Sequence, residues 1–235
     1  MMSRATKATH AAWPLGFKEL TTNIHAEEEG RYYDEHRESC SCSRRKQSMC
    51  SKHHLCTFRE GERECSETHH ECDNQRITRG EWKGRMIPVW DLGVMGQRAA
   101  AVQDDVDKDD LLVEYVGRVG NRRVSDAYEA SKGAEDPRYA MRLSKSREMT
   151  IIAEKEGNVG SFVNHSCQPN ARAERWTAQG RQRIGIFANG KIKAKSKVTI
   201  NYGLVGGVGM KCNCGAPACR LSLIHISEPT RRTPI

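Results

Sequence analysis

The sequence predicts a mainly β fold, a β-rich α+β arrangement of small sheets with minor helices, preceded by a segment that cannot fold without staples. Three observations carry this. Short apolar runs start near residue 85 and recur to residue 202, separated by polar turns. The ten cysteines fall in two clusters, at residues 40–72 and 212–219, with Cys167 between them. Across residues 40–76 the apolar side chains other than cysteine are only Met49, Leu55 and Phe58, too few to offset the entropy of ordering the segment.

The elements follow in order. Trp13 and Phe17 are the only anchors expected in the polar stretch that opens the chain. Leu111 to Val116 reads as a strand, as do Met149 to Ala153 and Arg183 to Phe187. Lys197 to Tyr202 alternates at period two, which predicts a strand with Val198, Ile200 and Tyr202 on one face. Residues 122–132 predict a short helix carrying Ala127, Tyr128 and Ala130. Five aspartates between Asp104 and Asp110 read as a solvated turn, and four glycines between Gly203 and Gly209 as a loop.

The composition excludes some classes. At 235 residues the chain holds one or two modest domains, and 37% hydrophobic with 6% aromatic residues leaves a thin apolar supply. No run approaches the ~18 consecutive apolar residues of a membrane helix, and the amino terminus lacks an apolar signal core. A net charge of +8 favours a polyanionic partner. The run Arg181, Arg183, Lys191, Lys193, Lys195 and Lys197, with no acidic residue from Trp176 to Met210, is either a solvated face or a non-specific contact for DNA phosphates. Dense cysteine in a chain with no secretory signal points to structural zinc ahead of a disulfide framework.

The most specific segment is Asn164-His165-Ser166-Cys167-Gln168-Pro169-Asn170, preceded by Gly157-Asn158 and Phe162. It resembles the cofactor-binding motif of SET-domain protein-lysine methyltransferases. Other motifs of that family stand around it in order: Glu114-Tyr115-Val116-Gly117, Tyr139-Ala140-Met141-Arg142-Leu143, Thr199-Ile200-Asn201-Tyr202, and Cys212-Asn213-Cys214-Gly215 with Cys219-Arg220. Upstream, Cys40 to Cys72 running into Asn74-Gln75-Arg76-Ile77 resembles the AWS (associated with SET) zinc module, and Arg175 to Gly180 is similar to the same branch.

The resemblance implies a SET-domain fold of small sheets with a knot-like C-terminal threading, preceded by a zinc-stapled AWS module. It divides the chain into a lead-in segment (1–36), an AWS module (37–84), a catalytic domain (85–204) and a post-SET arm (205–220). Residues 221–235 resemble a translated sequencing adapter and are expected to be a non-native tail that interrupts the arm near Arg220. Cys167, Cys212, Cys214 and Cys219 complete one tetrahedral zinc site. The AWS module needs seven ligands for two zincs. Cys40, Cys42, Cys50, Cys56, Cys65 and Cys72 supply six, and His69 or its neighbour His70 is expected to supply the seventh, for about three structural zincs in all.

By the same resemblance the chain transfers methyl groups from S-adenosylmethionine to lysine 36 of histone H3 in nucleosomes, in the nucleus, on chromatin, as a monomer. Tyr202 is the expected catalytic group, and Tyr115 lines the same channel. Met95, Gly96, Tyr139, Asn164, His165 and Met210 are the expected cofactor contacts. Ile200 occupies the position that controls how many methyl groups fit. It has no hydroxyl to hold a water, so di- or trimethylation is expected. The sequence departs from the family at Val94, in place of a glycine, at Ser161, in place of an arginine, and at Lys195-Ser196-Lys197, where a glycine and an acidic residue are usual. Those departures keep two rivals open: a SET-fold chromatin-binding module with a damaged cofactor pocket, and a methyltransferase for another histone or non-histone lysine. A zinc-finger nucleic-acid binder leaves the Asn164–Asn170 motif unexplained.

Overall fold

The computed structural model describes residues 11–25, 61–65, 74–91, 97–133, 136–144, 149–203, 212, 214–217 and 219. Thirteen short strands run in chain order: β1 (Lys18–Glu19), β2 (Ile24–His25), β3 (Met86–Trp90), β4 (Arg98–Val102), β5 (Leu111–Tyr115), β6 (Arg118–Gly120), β7 (Ala140–Ser144), β8 (Met149–Ile152), β9 (Glu156–Gly157), β10 (Asn164–His165), β11 (Ala171–Ala178), β12 (Arg181–Ala188) and β13 (Thr199–Ile200). Among the described residues one α-helix, α1 (Arg122–Ala130), lies between β6 and β7, and a 3-10 turn spans Val159–Phe162. Among the described residues no helix is long and apolar enough to cross a membrane.

The strands form five small sheets, ordered β11-β12-β5, β2-β6-β8-β7, β3-β4, β1-β9 and β10-β13. The first three sheets and β13 share one core that includes Leu111, Leu112, Ile151, Ile184, Ile186 and Ile200, each at most 1% exposed, while Val89, Ala99 and Ala101 of β3-β4 form a second small cluster. Each such side chain contributes roughly 1.5–3 kcal/mol by leaving water. The β11–β12 hairpin turns through Gln179 (φ 51°) and Gly180 (φ 71°), the paired left-handed conformation that matches the twist of the flanking strands. Asn121 caps α1 by accepting a hydrogen bond from the Val124 N–H at 3.2 Å. Gly117 is required by packing, because a Cβ there would lie 2.4 Å from the Ile152 carbonyl oxygen.

The strands expected at 111–116, 149–153 and 183–187 are present with ends shifted by a residue or two. The strand expected over 197–202 is shorter. Only Thr199–Ile200 forms a strand; Lys197 bridges to Ala101 and the Val198 N–H donates to the Ala100 carbonyl at 2.8 Å, and the chain turns away at Gly203, whose N–H donates to Asn201 Oδ1 at 2.8 Å. Val198 and Ile200 are buried as expected, whereas Tyr202 lies beyond the strand end and is 40% exposed.

Residues 11–25 are an integral strap. Trp13 stacks on Phe17 with ring centroids 5.3 Å apart, and both rings lie 5.6 Å from Phe162. The strap then adds β1 beside β9 and β2 beside β6, both parallel. The described part of the expected AWS region also docks on the catalytic domain. Arg63 bridges to Thr177 in β11, and the buried Glu64 carboxylate accepts the N–H groups of Ile77 and Thr78 at 2.6 and 3.0 Å. Cys65 is buried there, with the Asn74 amide 3.5 Å from its sulfur. Cys40, Cys42, Cys50, Cys56, His69, His70 and Cys72 lie outside the described residues.

Beneath this contact Glu114 is buried and 3.1 Å from Arg183 Nε, close enough to attract but not aligned as a hydrogen bond. Burial raises its pKa to about 7, although Arg183 opposes the shift. Glu64, also raised by burial, adds to it. A carboxyl whose folded pKa exceeds its unfolded value stabilises the fold below the unfolded pKa, near 4.5, and loses that contribution as pH rises through about 7. Thermal stability is therefore expected to fall between pH 5 and pH 8, with a shallower fall in Glu114→Gln. Melting curves across that range check it, and an identical slope in the variant contradicts it.

Candidate active site and thiol cluster

The site is built where two distant segments run side by side. β10 pairs parallel with β13, setting Asn164 opposite Thr199 and His165 opposite Ile200. The Ser166 N–H extends the pairing to the Ile200 carbonyl at 3.0 Å. This juxtaposition delivers Tyr202 onto the Asn-His segment. The Tyr202 ring lies 5.5 Å from the His165 ring, and its N–H donates to His165 Nδ1 at 3.2 Å. Burial lowers the His165 pKa, keeping the ring neutral, as an acceptor at Nδ1 requires.

Four tyrosines lie near one another here. The Tyr202 hydroxyl donates to the Val163 carbonyl at 2.7 Å, and the Tyr115 hydroxyl donates to the Tyr139 carbonyl at 2.7 Å. The Tyr139 N–H in turn donates to the Tyr128 hydroxyl at 3.0 Å, tying α1 to the approach of β7. Desolvation pushes the pKa of all four phenols up, and Tyr202 and Tyr139 add to the shift of Tyr115. These hydroxyls therefore stay protonated at neutral pH and serve as hydrogen-bonding and orienting groups. Tyr128 is a member that the sequence reading missed, since a tyrosine on an exposed helix carries no periodic signal.

The Asn164 side chain is fully engaged. Its Oδ1 accepts from Gln97 Nε2 at 3.3 Å, and its Nδ2 donates to the Arg98 carbonyl at 3.1 Å and faces Asp91 Oδ2 at 3.4 Å. Asp91 and Gln97 flank residues 92–96 and join through a backbone hydrogen bond of 2.8 Å. Met95, Gly96, Val94 and Met210 lie outside the described residues. Ile200 is 1% exposed, beside this network. Ser161 is buried, and its hydroxyl donates to the Asn158 carbonyl at 2.8 Å, so the small side chain is locally satisfied. Lys195 adopts φ 63°, the left-handed region that the usual glycine enters freely and a side chain enters at about 1 kcal/mol or more.

The predicted four-ligand site forms. Cys167, Cys212, Cys214 and Cys219 bring their sulfurs within 4.8 Å of one another, and the Cys167–Cys219 separation is 3.7 Å. A tetrahedral zinc with Zn–S bonds of ~2.3 Å spaces its sulfurs ~3.8 Å apart, so the cluster fits that ion. Without a cation, burial pushes the Cys212 thiol up to about 12, and only a central positive charge lets four thiolates coexist. His165 Nε2 lies 3.5 Å from the Cys167 sulfur, so the ring touching Tyr202 also touches the cluster.

The basic run is largely paired within the chain. Lys193 meets Asp105 at 2.8 Å, Lys197 meets Asp91 at 2.7 Å, Arg183 meets Glu114 at 3.1 Å, and Lys191 lies 4.0 Å from Asp107. The aspartate turn, expected to be merely solvated, is the counter-charge for two of these lysines.

Comparison with known proteins agrees with this geometry. The family model described as "SET domain" matches residues 98–203. A "Histone-lysine N-methyltransferase, H3 lysine-36 specific" of Aspergillus fumigatus is 30% identical over 198 residues, covering 80% of this chain and 20% of that protein. One of the same name from Homo sapiens is 29% identical over 188 residues, covering 77% of this chain and 7% of the relative. The chain thus spans a fifth or less of these two relatives. In fold it is similar to a chain in the crystal structure of the Chaetomium thermophilum polycomb repressive complex 2, with a TM-score of 0.61, 20% identity, and coverage of 70% of this chain and 24% of that one. The paired β10 and β13, the strand-rich core around them and these matches agree: residues 98–203 of this chain form a SET domain.

Proposed function

We propose that this chain is an S-adenosylmethionine-dependent protein-lysine N-methyltransferase acting on lysine 36 of histone H3 in nucleosomes. The observation that carries the reading is the placement of Tyr202 against His165, its hydroxyl on the Val163 carbonyl, where β10 and β13 run side by side. The relatives named for H3 lysine 36 support the target. A nuclear, chromatin-bound location and the histone H3 tail as partner follow from the same reading, and the chain works as a monomer. Non-specific DNA contact falls to what charge the paired 181–197 run retains. Zinc occupies the four-thiol cluster, and the AWS ligands Cys40, Cys42, Cys50, Cys56, Cys65, His69 and Cys72 hold two more ions. AWS, SET and post-SET parts work as one unit.

The residues present fit the cofactor. Phenol and carbonyl oxygens crowd together at Tyr202–Val163 and Tyr115–Tyr139, acceptors suited to a polarised methyl group. Asn164, His165 and Tyr139 would hold it, with Met95, Gly96 and Met210. When bound, S-adenosylmethionine supplies a methyl group on a sulfonium leaving group. The lysine amine must arrive neutral, although a free lysine has a pKa of ~10.4. The protonated tyrosines supply no base, so the ammonium gives its proton to bulk water as the lysine enters the channel, where desolvation disfavours the charged form. The Tyr202 hydroxyl then orients the amine, and Tyr115, fixed to Tyr139, walls the channel.

Ile200 offers no hydroxyl to hold a water where further methyl groups must sit. Mass spectrometry of histone H3 after incubation with zinc-loaded protein and S-adenosylmethionine is expected to show di- or trimethylated lysine 36. Monomethyl product alone contradicts the role given to Ile200, and methylation at another lysine alone contradicts the target.

A further inference from the structure

Lys197 stands where the family carries an acidic residue, directly before the strand that leads to Tyr202. A cation at this place needs a counter-charge. The structure supplies Asp91, 106 residues away, whose Oδ1 takes the Lys197 ammonium at 2.7 Å. The same carboxylate turns its other oxygen, Oδ2, to the Asn164 amide at 3.4 Å. Its backbone N–H donates to the Gln97 carbonyl at 2.8 Å, and the Gln97 amide donates to Asn164 Oδ1 at 3.3 Å. Three separate segments therefore meet at one residue, whose side chain is only 10% exposed. They are the two flanks of residues 92–96, the Asn-His segment, and the residue that leads into β13.

We propose that Asp91 is a positioning residue for the cofactor site: paired to Lys197, its carboxylate fixes the Asn164 amide, while its backbone N–H ties together the two flanks of residues 92–96. The Asn164 amide can rotate by exchanging its oxygen and nitrogen, and the charge on Asp91 selects the orientation with Nδ2 inward. The Lys197 pair holds that carboxylate in place, so the lysine works with Asp91 as a charge-reversed brace. The Lys197 end of the pair is 46% exposed, and Asp91→Asn replaces the carboxylate by a neutral group of the same shape, so little global stability is at stake. Its effect is therefore expected on cofactor affinity more than on melting temperature. This inference rests on the proposed function, since the site is read as one for S-adenosylmethionine.

The test uses the full chain, zinc-loaded, as wild type, Asp91→Asn, Lys197→Glu and the swapped pair Asp91→Lys with Lys197→Asp. Calorimetric titration with S-adenosylmethionine is expected to give about 5- to 10-fold weaker binding for Asp91→Asn. A larger loss is expected for Lys197→Glu, which sets two carboxylates together, and partial recovery in the swapped pair. Melting temperatures of wild type and Asp91→Asn are expected to agree within about 2 °C. In parallel, the side-chain amide signals of Asn164 are followed by NMR without cofactor, and are expected to shift and exchange faster in Asp91→Asn. If wild type binds no S-adenosylmethionine, the functional reading falls, and the Asn164 signals alone decide the positioning role. Unchanged Asn164 signals in Asp91→Asn overturn the inference. So does wild-type affinity in that variant, or a loss of binding matched by a loss of folding.

Discussion

Tyr202→Phe is expected to lower the rate of methyl transfer by roughly 100-fold or more at saturating cofactor, with cofactor affinity held within about twofold. The phenylalanine keeps the ring beside His165 and the backbone hydrogen bond to its Nδ1. It removes only the hydroxyl that donates to the Val163 carbonyl. Alignment of amine and methyl is the part of the barrier this enzyme must lower, and orientation effects of this kind are worth several kcal/mol. Because the Tyr202 phenol is raised by burial, activity is not expected to follow its ionisation between pH 7 and 9. Tyr115→Phe is expected to cost less, since its hydroxyl is spent on the Tyr139 carbonyl. Single-turnover rates beside calorimetric affinities check this. An active Tyr202→Phe would move the catalytic role to another group.

Cys167→Ser has the second large effect. Cys167 is the only one of the four thiols that lies inside the catalytic domain, the other three belonging to the 212–219 arm. Losing it removes the tether that joins arm to domain, and the ring of His165 loses its sulfur neighbour. Structural zinc contributes ~10–16 kcal/mol in small zinc peptides, and three thiols no longer close the four-ligand shell that a structural site needs. The expected outcome is a zinc content lower by one ion per chain, a melting temperature lower by about 10 °C, and a sharply weaker grip on S-adenosylmethionine. Metal analysis of the purified variant, read with its melting curve, checks this. Unchanged zinc content would mean that the cluster is not a metal site.

Much of this architecture was legible in the sequence where signals were local. Leu111 to Val116 reads as a buried strand because it is apolar but for Glu114, and every residue of β5 is buried where it pairs beside β12. The strand β11 gave no such signal. Arg172 and Glu174 interrupt it, and only the fold reveals that Arg172 pairs with Asp109 while Glu174 accepts the Trp176 indole N–H. Two-residue strands such as β1, β2 and β10 are too short for any periodicity. The strap therefore read as two aromatic anchors, although it also extends two sheets. At the site, Tyr202, Asn164 and His165 were found through motif resemblance, since pairing between residues 164 and 199 leaves no local trace. Asp91 was not found. Its meaning depends on Lys197, and an isolated aspartate before a turn is ordinary until that partner is known.

The central claim is that the site around Tyr202 methylates lysine 36 of histone H3, and one measurement meets it most directly. Recombinant nucleosomes are incubated with S-adenosylmethionine and zinc-loaded wild type or Tyr202→Phe, and every histone lysine is then read by mass spectrometry. Methylation of lysine 36 by the wild type, and its disappearance in the variant, is the predicted result. A folded, zinc-loaded wild type that leaves every histone lysine unmodified would contradict it.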